Sequence, residues 1–109
     1  MQEIWRTEDR LGREVIFSSR GLSHILDEHD RMADRLAAIR PTIEHPGYVT
    51  QDANYPHREN YYRRTPSGRR YLKVVVAYRP VPPQGTWAGE VVPAYLTRKI
   101  KRQEAQLWP

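Results

Sequence analysis

The stretch Arg70-Tyr71-Leu72-Lys73-Val74-Val75-Val76-Ala77-Tyr78-Arg79 is the strongest strand signal in the chain. Its β-branched and aromatic residues suit a pleated surface, and no Gly or Pro interrupts them. Strand side chains alternate, so Leu72, Val74 and Val76 share one face and Tyr71, Lys73, Val75 and Ala77 the other. Gly89 to Thr97 divides in the same way into Val92, Ala94 and Leu96 against Val91, Pro93, Tyr95 and Thr97. Asn60 to Thr65 and Tyr48 to Gln51 supply two more strands, with Pro66-Ser67-Gly68 and the run from Pro80 to Gly85 as turns. Short connections predict antiparallel neighbours. Covering the apolar sets leaves Lys73, Tyr95 and Thr97 together on an open face, joined by either Tyr61 and Arg63 or Tyr62 and Arg64. Pro93 has no N–H to give to a ladder, so the strand is an edge there or carries a bulge.

Outward from this sheet the period changes. Pro46-Gly47 closes a helical half that starts at Ser18 or Ser19, either of which can cap the first turn. Leu22, Ile25, Leu26, His29 and Met32 recur at three- and four-residue spacing, which describes one helical face. A second helix runs from about Ala33 into Ile39, and Pro41 kinks it or begins a new turn. Before the helices, Glu3 to Arg6 and Glu14 to Phe17 flank turn residues that end at Gly12, so residues 1–17 read as a hairpin. Beyond Thr97 come a basic tail, Arg98 to Glu104, and Leu107-Trp108, which can dock back. Helices before strands predict the α+β class: N-terminal helices over about 18–45, packed on a C-terminal antiparallel sheet of about four strands over about 47–98, in one domain of residues 1–109. Val74, Val76, Val92 and Leu96 are expected to pack against Leu22, Ile25, Leu26, Leu36 and Ile39.

With 109 residues and 39% hydrophobic content the chain can build a core. It has no cysteine, which excludes disulfides, thiolate metal sites and a thiol nucleophile. Met1 to Arg13 carries charges and no apolar run, and nothing approaches membrane-spanning length, so a cytoplasmic protein without membrane contact is expected. The net charge is +5, from 18 Lys and Arg against 13 Asp and Glu. Most of the cations are Arg, whose planar guanidinium pairs with phosphate through two hydrogen bonds. Such a basic surface attracts polyanions, nucleic acid first among them.

The order of signals along the chain can be set beside known families. His24-Ile25 lies in a helix, and a second helix closes near His45-Pro46. Tyr61-Tyr62-Arg63, Tyr71-Leu72-Lys73-Val74-Val75-Val76 and Ala94-Tyr95-Leu96-Thr97 follow, then a Lys/Arg tail and Trp108. From about Ser18 to Trp108 this resembles the phage and bacterial toxin-type branch of the barnase/EndoU/colicin/RelE-like nuclease superfamily. The resemblance implies a metal-independent ribonuclease without cofactor, acting on RNA and held in check by a cognate antitoxin or immunity protein. It also implies site positions: His24 on the helix, Arg63 or Arg64 after the aromatic pair, and Lys73 on the central strand. Where the family tends to read Thr-Ala-Tyr, this chain reads Pro93-Ala94-Tyr95, so a hydroxyl is missing and Thr97 is the nearest replacement.

Metal-free RNA cleavage needs a base for the 2′-hydroxyl proton, an acid for the leaving 5′-oxygen and cations for the phosphorane. The expected catalytic set is His24, Arg63, Lys73, Tyr95 and Thr97, with Glu28, four residues on from His24, orienting the imidazole. Arg64, Arg69, Arg70, Arg98, Lys99 and Lys101 are expected to bind RNA. His29 reads as a packing residue, His45 as a helix terminus and His57 as loop surface. No metal is expected: His24 and His29 are five apart and form no helical zinc pair, and Asp27, Glu28 and Asp30 lack the spacing of a calcium loop. Two other readings fit the same charge pattern: an RNA-binding relative without catalysis, and an antitoxin-like or phage structural interaction domain that binds no nucleic acid.

Overall fold

The computed structural model describes residues 2–109, the side chain of Asp30 excepted, so residue 1 of the expected hairpin lies outside the described residues. In chain order the strands are Glu3–Glu8 (β1), Glu14–Ser18 (β2), Tyr48–Gln51 (β3), Arg58–Arg64 (β4), Tyr71–Val81 (β5), Thr86–Thr97 (β6) and Ala105–Trp108 (β7). The helices are Ser19–Glu28 (α1) and Ile39–Glu44 (α2), with 3₁₀ turns at Asp30–Asp34 and Leu36–Ala38. All seven strands form one sheet in the order β1-β2-β6-β5-β4-β3-β7, which puts the valine-rich strand at its centre.

This corrects the expected α+β layout of helices packed on four antiparallel strands. Strand accounts for 46% of the chain and helix for 21%, and the sheet is mixed. The N-terminal hairpin is part of the same sheet, because β2 runs parallel to β6, pairing Glu14 with Ala88 and Ile16 with Glu90. At the far edge, β7 pairs with β3. The helical half is short because tertiary contacts interrupt it. His29 leaves helical dihedrals (φ −139°, ψ 75°) and its ring stacks on Tyr95 at 4.9 Å. Helices of six to ten residues have little stability of their own, so packing decides where they end. Pro41 falls in the first turn of α2, where its missing N–H costs no helical bond. Ser18 caps α1, accepting from the Gly21 N–H at 3.3 Å.

The helices and 3₁₀ turns cover one sheet face, where Ile25, Met32, Ile39 and Ile43 pack on Val15, Phe17, Val49, Tyr61, Leu72, Val74, Val76, Val91 and Ala94. Two expectations about this core need correction. Leu26 is 40% exposed although it lies within α1, because it sits about 100° round the helix from the buried Ile25, toward solvent. Val91 rather than Val92 is fully buried, because the ladder slips between Val74, paired with Ala94, and Val76, paired with Val91. That bulge at Val92-Pro93 absorbs the missing N–H of Pro93 and leaves Tyr95 opposite Lys73.

The second face carries Tyr71, Lys73, Val75, Ala77 and Arg79 of β5, and it is not fully open. After β6 the chain crosses over β5, β4 and β3 on this face before pairing as β7, and Glu104 is buried beneath the crossing. Over the other half of the face, on the β1, β2 and β6 side, no segment of the described residues crosses. Among the described residues, no helix is long and apolar enough to cross a membrane.

Candidate functional site

The uncovered half of the second face holds a pocket of about 490 Å³. Its floor is Ile16, Ala77, Ala88 and Val92, and its rim is Arg6, Glu14, Arg79, Glu90 and the α1 residues Arg20 and His24. Period two aims Ala77, Arg79, Glu90 and Ile16 into it. Past Ile16, α1 takes the place of β2 beside β6, and Gly21 makes this possible: a Cβ there would lie 2.9 Å from the Val91 carbonyl oxygen. With Ile25 buried in the core, Arg20 and His24, four apart, point to the second face.

The charges of the rim divide cleanly. Arg6 is held by Glu3 at 2.5 Å and Glu14 at 2.9 Å. Glu90 accepts from the Ser18 hydroxyl at 3.2 Å. Among the described residues, Arg20, Arg79 and His24 have no ion pair and no hydrogen-bonding side-chain partner. Two free guanidinium groups, an accessible imidazole and a carboxylate around one apolar-floored pocket can hold a phosphodiester and exchange protons with it.

The expected catalytic set is divided among several places. His24 stands in this pocket. Lys73 lies in the covered half, 3% exposed, with its Nζ 3.1 Å from Glu104 Oε2. Thr50 and Tyr62 hydroxyls each donate to Glu104 Oε1 at 2.6 Å. Burial alone would raise the Glu104 carboxyl, but these three donors outweigh it and hold it below the usual range. Tyr95 is half-buried, its ring stacked on His29 and its centroid 5.6 Å from the Lys73 ammonium. Thr97 donates to the Lys99 carbonyl at 3.3 Å. Arg63 pairs across the ladder with Leu72, on the helix-covered side of the sheet, and reaches the Pro41 carbonyl at 3.4 Å. Glu28 makes no hydrogen bond to His24 among the described residues. Lys73, Tyr95 and Thr97 do share a face, and Arg63 is on the other.

The expected RNA-binding residues fall into two groups. Arg64, Arg98, Lys99 and Lys101 border one groove of about 450 Å³ on the second face. Arg69 and Arg70 border another with Arg31 and Arg35. No three Asp, Glu, His or Cys side chains are grouped as metal ligands among the described residues.

Arg20, Arg79 and Glu90 are the pocket residues that sequence reasoning missed. Arg20 is four residues before His24 and Arg79 continues the Lys73–Ala77 parity, so both were legible. Glu90 depends on the β2–β6 register, which local pattern does not encode. A buried network on the helix-covered side was missed as well: Tyr78 donates to Asp9 at 2.7 Å, the Tyr61 and Tyr78 hydroxyls meet at 2.6 Å, and Arg13 bridges Asp9 and Glu59 at 2.7 Å each. Burial pushes both tyrosines up, whereas for Asp9 the bonds from Tyr78 and the Arg13 and Leu11 N–H groups overcome burial and hold the acid down. This network ties the β1–β2 turn to the sheet. Compared with protein-family models, curated proteins and solved structures, the chain matches none.

Proposed function

We propose that this protein is a metal-independent ribonuclease whose reaction takes place in the pocket around His24. The observation that carries the reading is that His24 stands with two unpaired arginines, Arg20 and Arg79, and with Glu90 on the uncovered sheet face. Glu90 takes the 2′-hydroxyl proton as that oxygen bonds to phosphorus. The bond from phosphorus to the 5′-oxygen breaks, His24 in its cationic form protonates the leaving oxygen, and a 2′,3′-cyclic phosphate remains. Arg20 and Arg79 stabilise the charge on the equatorial oxygens. The resemblance to the barnase/EndoU/colicin/RelE-like superfamily supports the same reading through His24, and under it a cognate antitoxin or immunity protein is the expected inhibitor.

Incubation of RNA with the protein in EDTA should yield fragments ending in cyclic phosphate. His24→Ala, at an exposed helix position, should slow cleavage about a hundred- to ten-thousand-fold without changing the melting temperature. Cleavage that survives this change refutes the role of His24. Two observations favour the alternative of RNA binding without cleavage: Lys73 is neutralised by Glu104, and Pro93 stands where the resembled family carries a hydroxyl. Wild-type protein that binds RNA and leaves it intact selects that alternative. Protein that does neither selects the interaction domain.

A further inference from the structure

The crossing segment brings a second, distinct chemistry onto the same face. Tyr71 and Arg64 are cross-strand neighbours, and the Arg64 guanidinium carbon lies 4.7 Å above the Tyr71 ring. Tyr48 meets Tyr71 edge-on with centroids 6.5 Å apart and is 38% exposed. Above them run Arg98, Lys99, Lys101 and Arg102, all exposed and all without an ion pair among the described residues. The one carboxylate in this groove, Glu104, is committed to Lys73. The groove is therefore a stacking platform under a row of unneutralised cations.

We propose that this corner is a subsite for single-stranded RNA, in which bases stack on Tyr48 and on the outer plane of Arg64 while Arg98, Lys99, Lys101 and Arg102 hold the phosphates. A duplex keeps its base faces covered and cannot use the platform, whereas an unpaired strand can. From Tyr71 to Ala77 is six residues along β5, about 20 Å, so an RNA strand passing outside the crossing segment, which covers Lys73 and Val75, can continue to the His24 pocket. That continuation rests on the ribonuclease reading. Binding at the corner does not.

The test uses a fluorescent single-stranded DNA oligonucleotide, which lacks the 2′-hydroxyl and survives whatever the protein does to RNA, beside an RNA of the same sequence and its duplex. Anisotropy should show both single strands binding more tightly than the duplex. Tyr48→Ala should weaken single-strand binding about 5- to 150-fold, the loss typical of one stacked base. In Lys99→Ala/Arg102→Ala the slope of log affinity against log salt should flatten by about 1.4, from about 0.7 for each lost phosphate contact. All three side chains are solvent-exposed, so a thermal melt should match wild type. Affinity and slope unchanged in both variants, or a duplex that binds as well as the single strand, overturn the proposal. If RNA is never cleaved but binding still depends on Tyr48, the subsite stands and the cleavage reading falls.

Discussion

Glu104→Gln removes one negative charge from beneath the crossing segment and leaves Lys73 buried with no counter-ion. The two side chains are 1% and 4% exposed, so water cannot replace the lost partner. Breaking a buried pair on one side costs about 3–5 kcal/mol, a large share of the 5–15 kcal/mol by which a domain is stable. At about 4 °C per kcal/mol for a chain of this size, the melting temperature should fall by about 12–20 °C. Glutamine still offers an oxygen to Thr50 and Tyr62, so the loss reports on the charge rather than on those bonds. Adding Lys73→Met removes the stranded ammonium and should restore most of the stability. Urea unfolding of wild type, both singles and the double gives the coupling directly. Glu3→Gln, at the exposed Arg6 pair, serves as the control and should leave the melt unchanged. A loss below about 1 kcal/mol for Glu104→Gln, or a double variant no better than the single, refutes the idea that this ion pair fastens the crossing segment.

Stability should also depend on acid. Glu104 and Asp9 both titrate lower in the folded chain than the ordinary 4.5 and 3.8, so their contribution is complete above those values and is lost as pH falls through the lower folded ones. Melting temperatures should be flat near neutrality and drop below about pH 4, and the drop should be shallower in Asp9→Asn and Glu104→Gln. Unfolding that is equally steep in wild type and both variants contradicts this. Gly89→Ala places a methyl 2.5 Å from Val76 Cγ1 and 2.8 Å from the Tyr78 ring, an overpacking that should cost about 1–3 kcal/mol in urea unfolding. A neutral Gly89→Ala means that Tyr78 can move aside without breaking its bond to Asp9.

Much of the sheet was legible because strand signals are local. The β-branched run from Tyr71, the turn chemistry at Pro66-Ser67-Gly68 with Gly68 at φ +74°, and the Pro93 irregularity each depend on residues a few positions apart. The same parity put Lys73, Tyr95 and Thr97 on one face. What parity lacks is any account of what lies over that face. Glu104 is a single acid after a run of cations, and nothing local says that it will be buried under three hydrogen-bond donors from three different strands.

By itself, then, the sequence determined the central strands, their two faces, the break at Pro46-Gly47 and the excess of arginine, because alternation, turn residues and charge act over short range. Tertiary structure alone decided that the N-terminal hairpin joins β6 in parallel, that the expected helices shorten so His29 can stack on Tyr95, and that the tail crosses the face and adds β7. These are pairings between segments as much as 74 residues apart, Glu14 with Ala88 for one, and they are chosen by which edges and faces the whole chain leaves unsatisfied. The same choice separated His24 from Lys73 and put it beside Arg20, Arg79 and Glu90.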